Sequence, residues 1–309
     1  MLATPSSTTP STSFDSRRRP AHLNAWYPLQ GMEEQVQALG SALESLEAGS
    51  LAVVTGAGIS QASGIPTFRG TDPEAVWRQS DVSLATFDYF RRDPVGQWQW
   101  YLKRFEAVAA AKPNAAHSAL VDLETWHTQR GGSFCLVTQN IDTLHEAAGS
   151  SRMIKIHGTS DRVRCSKVGC RFGSPRGSLA ADDVHFEDFV SAPSEQTLPT
   201  CPECASLLRA HVLFFDEYYG DHQDYRFSEA EAVAQSADLM LFIGTSFSVG
   251  ITDTFLRAGI LRRIPIFSID PGGHGTSPWP DLRILPSPAE ELLPEVCDRL
   301  HTRREIAPS

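Results

Sequence analysis

Residues 51–70 read LAVVTGAGISQASGIPTFRG, and this stretch decides the predicted fold. The apolar run from Leu51 to Val54 is typical of a buried strand in a parallel sheet. Gly56 and Gly58 follow at once, and a turn that leads into a helix presents backbone N–H groups able to bind a diphosphate. A plain tight turn explains the same glycines, because the dinucleotide pattern G-x-G-x-x-G lacks its third glycine at position 61.

The hydrophobic pattern on either side predicts alternating strands and helices. Further buried strands are expected at 134–138, 239–244 and 264–269, and helices at 33–47, 115–128, 228–237 and 251–262. Two more helices are expected within 84–111, around a start site at Asp93-Pro94. This alternation predicts an α/β fold with a doubly wound, Rossmann-like parallel sheet, which binds ligands at the carboxyl ends of its strands.

Residues 160–210 break the alternation and contain four of the six cysteines. Cys165 and Cys170 form one close pair, and Cys201 and Cys204 form another. Four thiolates satisfy tetrahedral Zn²⁺ and leave no position for water, so the spacing predicts one structural zinc ion rather than four unrelated thiols or disulfides. The segment shows little periodic hydrophobicity, and we interpret it as a small zinc-binding module inserted in the larger domain.

Composition excludes several classes of function. The 309 residues carry a net charge of −10, which argues against non-specific nucleic-acid binding, and no apolar run is long enough to cross a membrane. The Ser-, Thr- and Pro-rich residues 1–22 are expected to form a disordered tail. We therefore expect a cytoplasmic protein, or a mitochondrial one if this tail is a transit peptide.

The ordered motifs of the chain resemble those of the sirtuins, the NAD-dependent protein deacylases. They are the glycine segment, Thr138 to Asp142 (TQNID), His157-Gly158, the four cysteines, and Gly244 to Ser246 (GTS). The resemblance covers roughly residues 33–300 and implies a catalytic domain over 23–309. It also implies NAD as co-substrate, one structural Zn²⁺, and acylated proteins or peptides as substrates, with no nucleic-acid or membrane partner.

The resemblance assigns the central proton transfer to His157. In sirtuins the acyl-lysine oxygen attacks the ribose carbon that releases nicotinamide, and a base then takes a proton from a ribose hydroxyl. Histidine suits this step because its ordinary pKa is near neutrality.

The NAD contacts implied by the resemblance are spread over the strand ends. The Ala57 and Gly58 backbone and Ser60 would hold the diphosphate, and Asn140 and Asp142 would line the nicotinamide pocket. Asp142 would also suit a helix cap, and both roles are compatible. The full set is Gly56, Ala57, Gly58, Ser60, Ile65, Phe68, Arg69, Gln139, Asn140, Asp142, Gly244, Thr245, Ser246 and Asp270.

Tyr101 and Arg104 are three residues apart and therefore lie on one face of the predicted helix. A phenol and a guanidinium held together can bind a carboxylate, and this Tyr-x-x-Arg resembles the signature of class III sirtuins, which remove succinyl, malonyl or glutaryl groups. Thr67 agrees with that subclass. An ordinary amphipathic helix with a solvated arginine is the alternative.

The remaining substrate contact is predicted at Phe215, in the segment that would pair with the peptide. Asp216 stands there where the family has glycine, and an added side chain would either narrow the peptide groove or change the peptide preference. Other functions remain open: a plain deacetylase, an NAD glycohydrolase or ADP-ribosyltransferase, or a non-catalytic NAD sensor.

Overall fold

A computed structural model describes residues 31–67, 82–272 and 282–306. Its main sheet contains six parallel strands in the spatial order β3-β2-β1-β7-β8-β9. These strands are β1 (Ser50–Thr55), β2 (Ser133–Thr138), β3 (Met153–Lys155), β7 (Leu239–Ile243), β8 (Ile266–Ile269) and β9 (Leu282–Leu285). The predicted parallel α/β sheet is confirmed, with β3 and β9 as strands that the pattern did not predict.

Helices cover both faces of this sheet. Over the described ranges they are α1 (Met32–Ser45), α2 (Phe87–Arg92), α3 (Pro94–Ala110), α4 (Ala115–Thr128), α5 (Leu144–Ala148), α6 (Glu187–Ser191), α7 (Phe227–Ser236), α8 (Gly250–Arg262) and α9 (Ala289–Ile306). Alternate residues of β1 show the two faces: Leu51 and Val53 pack against α1, α4 and α9, whereas Ala52 and Val54 pack against α7 and α8. The chain is therefore doubly wound, as predicted.

The sheet changes winding direction between β1 and β7. From β1 the chain builds β2 and β3 on one side, then returns to place β7 on the other side. Thr55 pairs with Ile243 at the ends of these two strands, so the loops that follow diverge from a shared point. Such a switch point leaves a crevice at the carboxyl ends of the strands, where α/β proteins bind ligands.

The segment between β3 and β7 forms a second, antiparallel sheet of three strands. These are β4 (Gly158–Cys165), β5 (Leu179–Ala180) and β6 (Leu208–Val212), in the order β5-β4-β6. Despite its weak hydrophobic periodicity, this segment contributes apolar residues that pack with α2 and α3 into one cluster. The Trp98 indole of α3, for example, is buried and donates a hydrogen bond to the Leu208 carbonyl at 2.9 Å.

The helix start predicted at Asp93-Pro94 is confirmed. Pro94 occupies the first turn of α3, and the Asp93 carboxylate accepts the Gly96 backbone N–H at 2.8 Å. A proline costs nothing at this position because a first-turn N–H has no partner within the helix. Among the described residues, the helices are all too short or too polar to span a membrane.

Candidate active site

A cavity of about 1020 Å³ opens at the switch point of the main sheet and extends to the second sheet. Thirteen of the predicted site residues line it, from both sheets and from α3. They are Gly56, Ala57, Gly58, Tyr101, Arg104, Gln139, Asn140, His157, Phe215, Gly244, Thr245, Ser246 and Asp270. A volume near the upper end for ligand pockets suits a large ligand such as a dinucleotide together with part of a second substrate.

The glycines of the cavity floor bring two loop backbones together. The Gly56 N–H donates to the Ile243 carbonyl at 3.0 Å, and the Gly58 N–H donates to the Gly244 carbonyl at 2.9 Å. A Cβ on Gly58 would lie 2.6 Å from the Gly244 Cα, so no side chain fits between the loops. The expectation that the Gly58 N–H binds a diphosphate therefore needs correction, since this donor is already used to join the loops.

Ser60 is fully buried and does not line the cavity. Its hydroxyl donates to the Asp142 carboxylate at 2.9 Å and accepts from the Asn140 side-chain amide at 3.1 Å. This differs from the expected diphosphate contact, because a hydroxyl used in this way lies behind the cavity wall. Ser60 instead fixes the two side chains that the sequence assigns to the nicotinamide pocket.

Asp142 is buried and does not line the cavity, which differs from the expected place in the nicotinamide pocket; it has two contacts in the segment after β2. Its second carboxylate oxygen accepts the backbone N–H of Leu144, the first residue of α5, at 3.1 Å. The capping alternative is therefore present together with the Ser60 bond. Gln139 lies on the other side of this segment, where its amide donates to Thr245 Oγ1 at 3.2 Å and ties β2 to the loop after β7. Ile65 is buried beside this region and does not line the cavity.

His157 lies between the two sheets, and its ring nitrogens have different partners. Nδ1 lies 2.9 Å from the Gln139 carbonyl oxygen, and Nε2 lies 3.3 Å from the Tyr219 hydroxyl. Because a carbonyl can only accept, Nδ1 carries the proton and Nε2 keeps its lone pair. Burial lowers the pKa of His157 to about 4, against a smaller opposite effect of the Gln139 carbonyl, so the imidazole is neutral at physiological pH.

Tyr101 and Arg104 line the cavity from α3. Tyr101 is almost fully buried, and burial raises the pKa of its phenol well above the usual value, so it stays protonated and can donate a hydrogen bond. The Arg104 guanidinium lies 4.9 Å from the centre of the Trp100 ring, which also lines the cavity. Arg104 is half-buried, and burial lowers the pKa of its guanidinium.

The loop after β6 carries Phe215 and is tied at both ends. The Phe215 N–H donates to the Ala85 carbonyl at 3.0 Å, and the Asp216 carboxylate accepts two backbone N–H groups of α2. The Asp216 side chain therefore faces α2 rather than the cavity, which speaks against a narrowed groove and leaves a changed peptide preference as the prediction. Glu217 accepts hydrogen bonds from Arg164 and Arg209. Burial by itself would raise the pKa of Glu217, but the two arginines together have the larger effect and hold this pKa below its usual value.

The four paired cysteines converge beside the second sheet. Their Sγ atoms lie within 4.8 Å of one another, with Cys165 3.5 Å from Cys204 and Cys170 3.6 Å from Cys201. None of the four forms a disulfide. Four sulfurs bound to one Zn²⁺ at 2.3 Å would be about 3.8 Å apart, so the cluster fits one tetrahedral ion with a closed shell.

Comparison with known proteins agrees with this geometry. The profile of the Sir2 family matches residues 56–250, which is more than half of the chain. The chain belongs to the Sir2 family. A Thermus thermophilus relative named NAD-dependent protein deacylase is 43% identical over 204 residues, which cover 66% of this chain and 72% of the relative. The Pyrobaculum aerophilum NAD-dependent protein deacylase 2 is 33% identical over 83% of this chain and 94% of its own length.

Solved sirtuin structures share the whole architecture. A Sir2 homologue in complex with NAD aligns at a TM-score of 0.70 and 33% identity, over 88% of this chain and 95% of that one. A Sir2 complex with a p53 peptide and NAD⁺ aligns at a TM-score of 0.67 and 26% identity, over 88% and 99%. The Sir2 family uses NAD, and the four-cysteine cluster of this sirtuin fits one structural zinc ion.

The cavity of this sirtuin includes residues that the sequence did not predict, and two predicted residues cannot be compared with it. Phe68 and Arg69 lie outside the described residues. Tyr219, Trp100 and Glu290 line the cavity but had no motif to single them out, since they come from a loop and two helices that only the tertiary fold brings there. The tyrosine pair at 218–219 was the one available signal for Tyr219.

Proposed function

We propose that this sirtuin is an NAD-dependent protein-lysine deacylase that prefers acyl groups ending in a carboxylate, such as succinyl, malonyl or glutaryl. One observation carries the proposal: Tyr101, Arg104 and His157 line the same cavity. The curated relatives are named deacylases or a deacetylase, which supports the reaction class. The proposed acyl preference is supported by Tyr101 and Arg104 of this chain and not by the names of the relatives.

The residues around His157 suit the proton transfer. Bound NAD would supply a ribose carbon that becomes electrophilic as nicotinamide leaves. The Gln139 carbonyl fixes the Nδ1–H tautomer, so that the lone pair of Nε2 faces the cavity as a proton acceptor. Asn140 lines the cavity and would bind the carboxamide of nicotinamide, and its side-chain amide is held by Ser60, which is itself bonded to Asp142 behind it.

The distal part of the cavity suits a negatively charged acyl group. The Arg104 guanidinium supplies a cation with paired N–H donors, and the Tyr101 phenol supplies a neutral donor. The Glu217 carboxylate, which lines the same cavity, is neutralised by ion pairs with Arg164 and Arg209. An acetyl group offers no carboxylate and would leave Arg104 without an acyl partner.

The test compares succinyl-lysine and acetyl-lysine versions of one peptide with wild type, Arg104→Met and Lys103→Met. Lys103 is exposed on the same helix, so its variant removes an equal charge outside the cavity. Wild type should prefer the succinyl peptide, and Arg104→Met should lower its kcat/KM about tenfold to a hundredfold, the range for a charge-assisted contact. The acetyl peptide should change little, and Lys103→Met should match wild type.

Two results would contradict the proposal in different ways. A preference for the acetyl peptide that Arg104→Met leaves unchanged would remove the carboxylate receptor. NAD consumption that proceeds equally fast without any acylated peptide would indicate an NAD glycohydrolase instead of a deacylase.

A further inference from the structure

Tyr219 lies in a three-residue helical turn, Tyr219–Asp221, after the loop that carries Phe215. Its ring is parallel to the His157 ring at 15°, with centres 5.8 Å apart. The Phe227 ring stacks on it at 5° and 4.8 Å. Tyr219 is thus held in a stack of aromatic rings, and its hydroxyl is placed 3.3 Å from His157 Nε2.

The direction of this hydrogen bond follows from the neighbours of the two groups. His157 Nδ1 donates to the Gln139 carbonyl, so Nε2 can only accept while the imidazole is neutral. The Tyr219 hydroxyl carries a proton that it can donate, because burial raises the pKa of this phenol above its usual value. The Tyr219 hydroxyl therefore donates to Nε2.

We propose that Tyr219 is a positioning residue for His157. The Tyr219 hydroxyl donates a hydrogen bond to His157 Nε2 until a substrate hydroxyl replaces it. The inference rests on the function proposed above, in which His157 is the base. When the base acts, the substrate O–H bond breaks, its proton forms the new Nε2–H bond, and the electron pair stays on the substrate oxygen. Tyr219 loses no proton in this step.

The contact can be kept in both protonation states of the imidazole. A protonated His157 would donate its Nε2–H to the Tyr219 oxygen once the hydroxyl has turned, and this charge-assisted hydrogen bond is stronger than the neutral one. Four other charged side chains line the same cavity, and within the described ranges none makes an ion pair with His157. They are Arg104, Glu217, Asp270 and Glu290. Removing the hydroxyl should therefore act on the imidazole directly and not through a rearranged charge.

The experiment uses Tyr219→Phe, which keeps the ring stack, and Tyr218→Phe as a matched control, since the neighbouring Tyr218 is exposed. The first measurement is the NMR titration of His157 in the NAD-free protein, with its signal assigned by its loss in His157→Ala. In Tyr219→Phe the titration should move to lower pH by about 0.5–1 unit, because the protonated ring loses a stronger hydrogen bond than the neutral ring does. Tyr218→Phe should leave it in place.

The second measurement is the acid limb of the kcat/KM profile for the acylated peptide, which should move in the same direction in Tyr219→Phe alone. An unmoved titration overturns the inference, because the hydroxyl then does not bond Nε2. A moved titration with an unmoved acid limb also overturns it, because Tyr219 then does not act on the base. A wild-type protein that does not deacylate peptides refutes the proposed function, while the NMR titration still decides the contact.

Discussion

The Asp216 carboxylate binds the start of α2 through the backbone of Phe87. One carboxylate oxygen accepts the Phe87 N–H at 2.6 Å, and the other accepts the Asp88 N–H at 3.0 Å. Because the first N–H groups of a helix have no partner within it, a carboxylate here satisfies two of them and interacts well with the helix dipole. The proposed peptide-binding loop and α2 are thereby joined.

We expect Asp216→Ala to lower the free energy of unfolding by about 1 kcal/mol, as for the loss of a helix cap. Asp216→Asn keeps one acceptor oxygen and should lose less. Asp88→Ala is the control, since its exposed carboxylate forms surface ion pairs with Arg91 and Arg92 and its loss should change stability by less than about 0.5 kcal/mol. Urea unfolding measures all three variants, and equal stability of Asp216→Ala and wild type would contradict the capping role.

Ser60→Ala should distinguish the diphosphate contact expected from the motif from the contacts with Asp142 and Asn140 that the structure has. The structure predicts weaker nicotinamide binding, by about threefold to tenfold, because Asp142 and Asn140 each lose one hydrogen bond. ADP-ribose affinity should be unchanged, because the hydroxyl does not line the cavity. Nicotinamide inhibition and calorimetry with ADP-ribose give the two readings.

The control for this experiment is Ser63→Ala, since Ser60 and Ser63 belong to the same short 3₁₀ helix, Ala57–Ser63. Ser63 accepts the Asn114 side-chain amide at 2.9 Å and has no contact with Asp142. It should leave nicotinamide inhibition as in wild type. A parallel loss of ADP-ribose affinity in Ser60→Ala would instead favour the diphosphate contact expected from the motif.

The cysteine cluster predicts one zinc ion for each chain. We expect Cys204→Ser to lose the metal and to destabilise the second sheet, whose β4 carries Cys165, because a closed thiolate shell contributes directly to folding. Metal analysis and thermal unfolding check this outcome. Cys135→Ser, which changes a cysteine of the main sheet, should keep a full equivalent of zinc, and retention of a full equivalent by Cys204→Ser would refute the site.

Acid should destabilise the protein through two buried histidines behind the cavity. Burial lowers the pKa of His117 to about 4 and that of His145 to about 3. The centres of the two rings lie 4.8 Å apart, and His145 Nε2 lies 3.1 Å from Thr55 Oγ1. In the unfolded chain both histidines titrate near pH 6.5. Between about pH 6.5 and 4 the unfolded state therefore binds more protons than the folded state, and the free energy of unfolding decreases as the pH is lowered.

Each of these histidines should contribute a slope of about 1.4 kcal/mol per pH unit in that window, and none above pH 7. His145→Gln should reduce the slope by about that amount, whatever its effect on stability at pH 7.5. Urea unfolding at several pH values measures it. An unchanged slope in the variant would show that His145 is not held neutral by the fold.

The sequence alone was sufficient for features that local pattern encodes. The four strand candidates, the helix start at Asp93-Pro94 and the paired cysteines depend on residue type and spacing over short distances, and each was confirmed. The family could be identified for the same reason, because its motifs are continuous segments at the ends of strands.

Tertiary structure alone decided which backbone and side-chain groups face the ligand. The Gly58 N–H binds Gly244, far along the chain, and the Ser60 hydroxyl turns inward to Asp142, so neither is where the motif placed it. Asp216 likewise meets Phe87, and Tyr219 meets His157, across separations of 129 and 62 residues. A linear pattern records which donors and acceptors a segment carries, whereas their partners depend on how the chain packs.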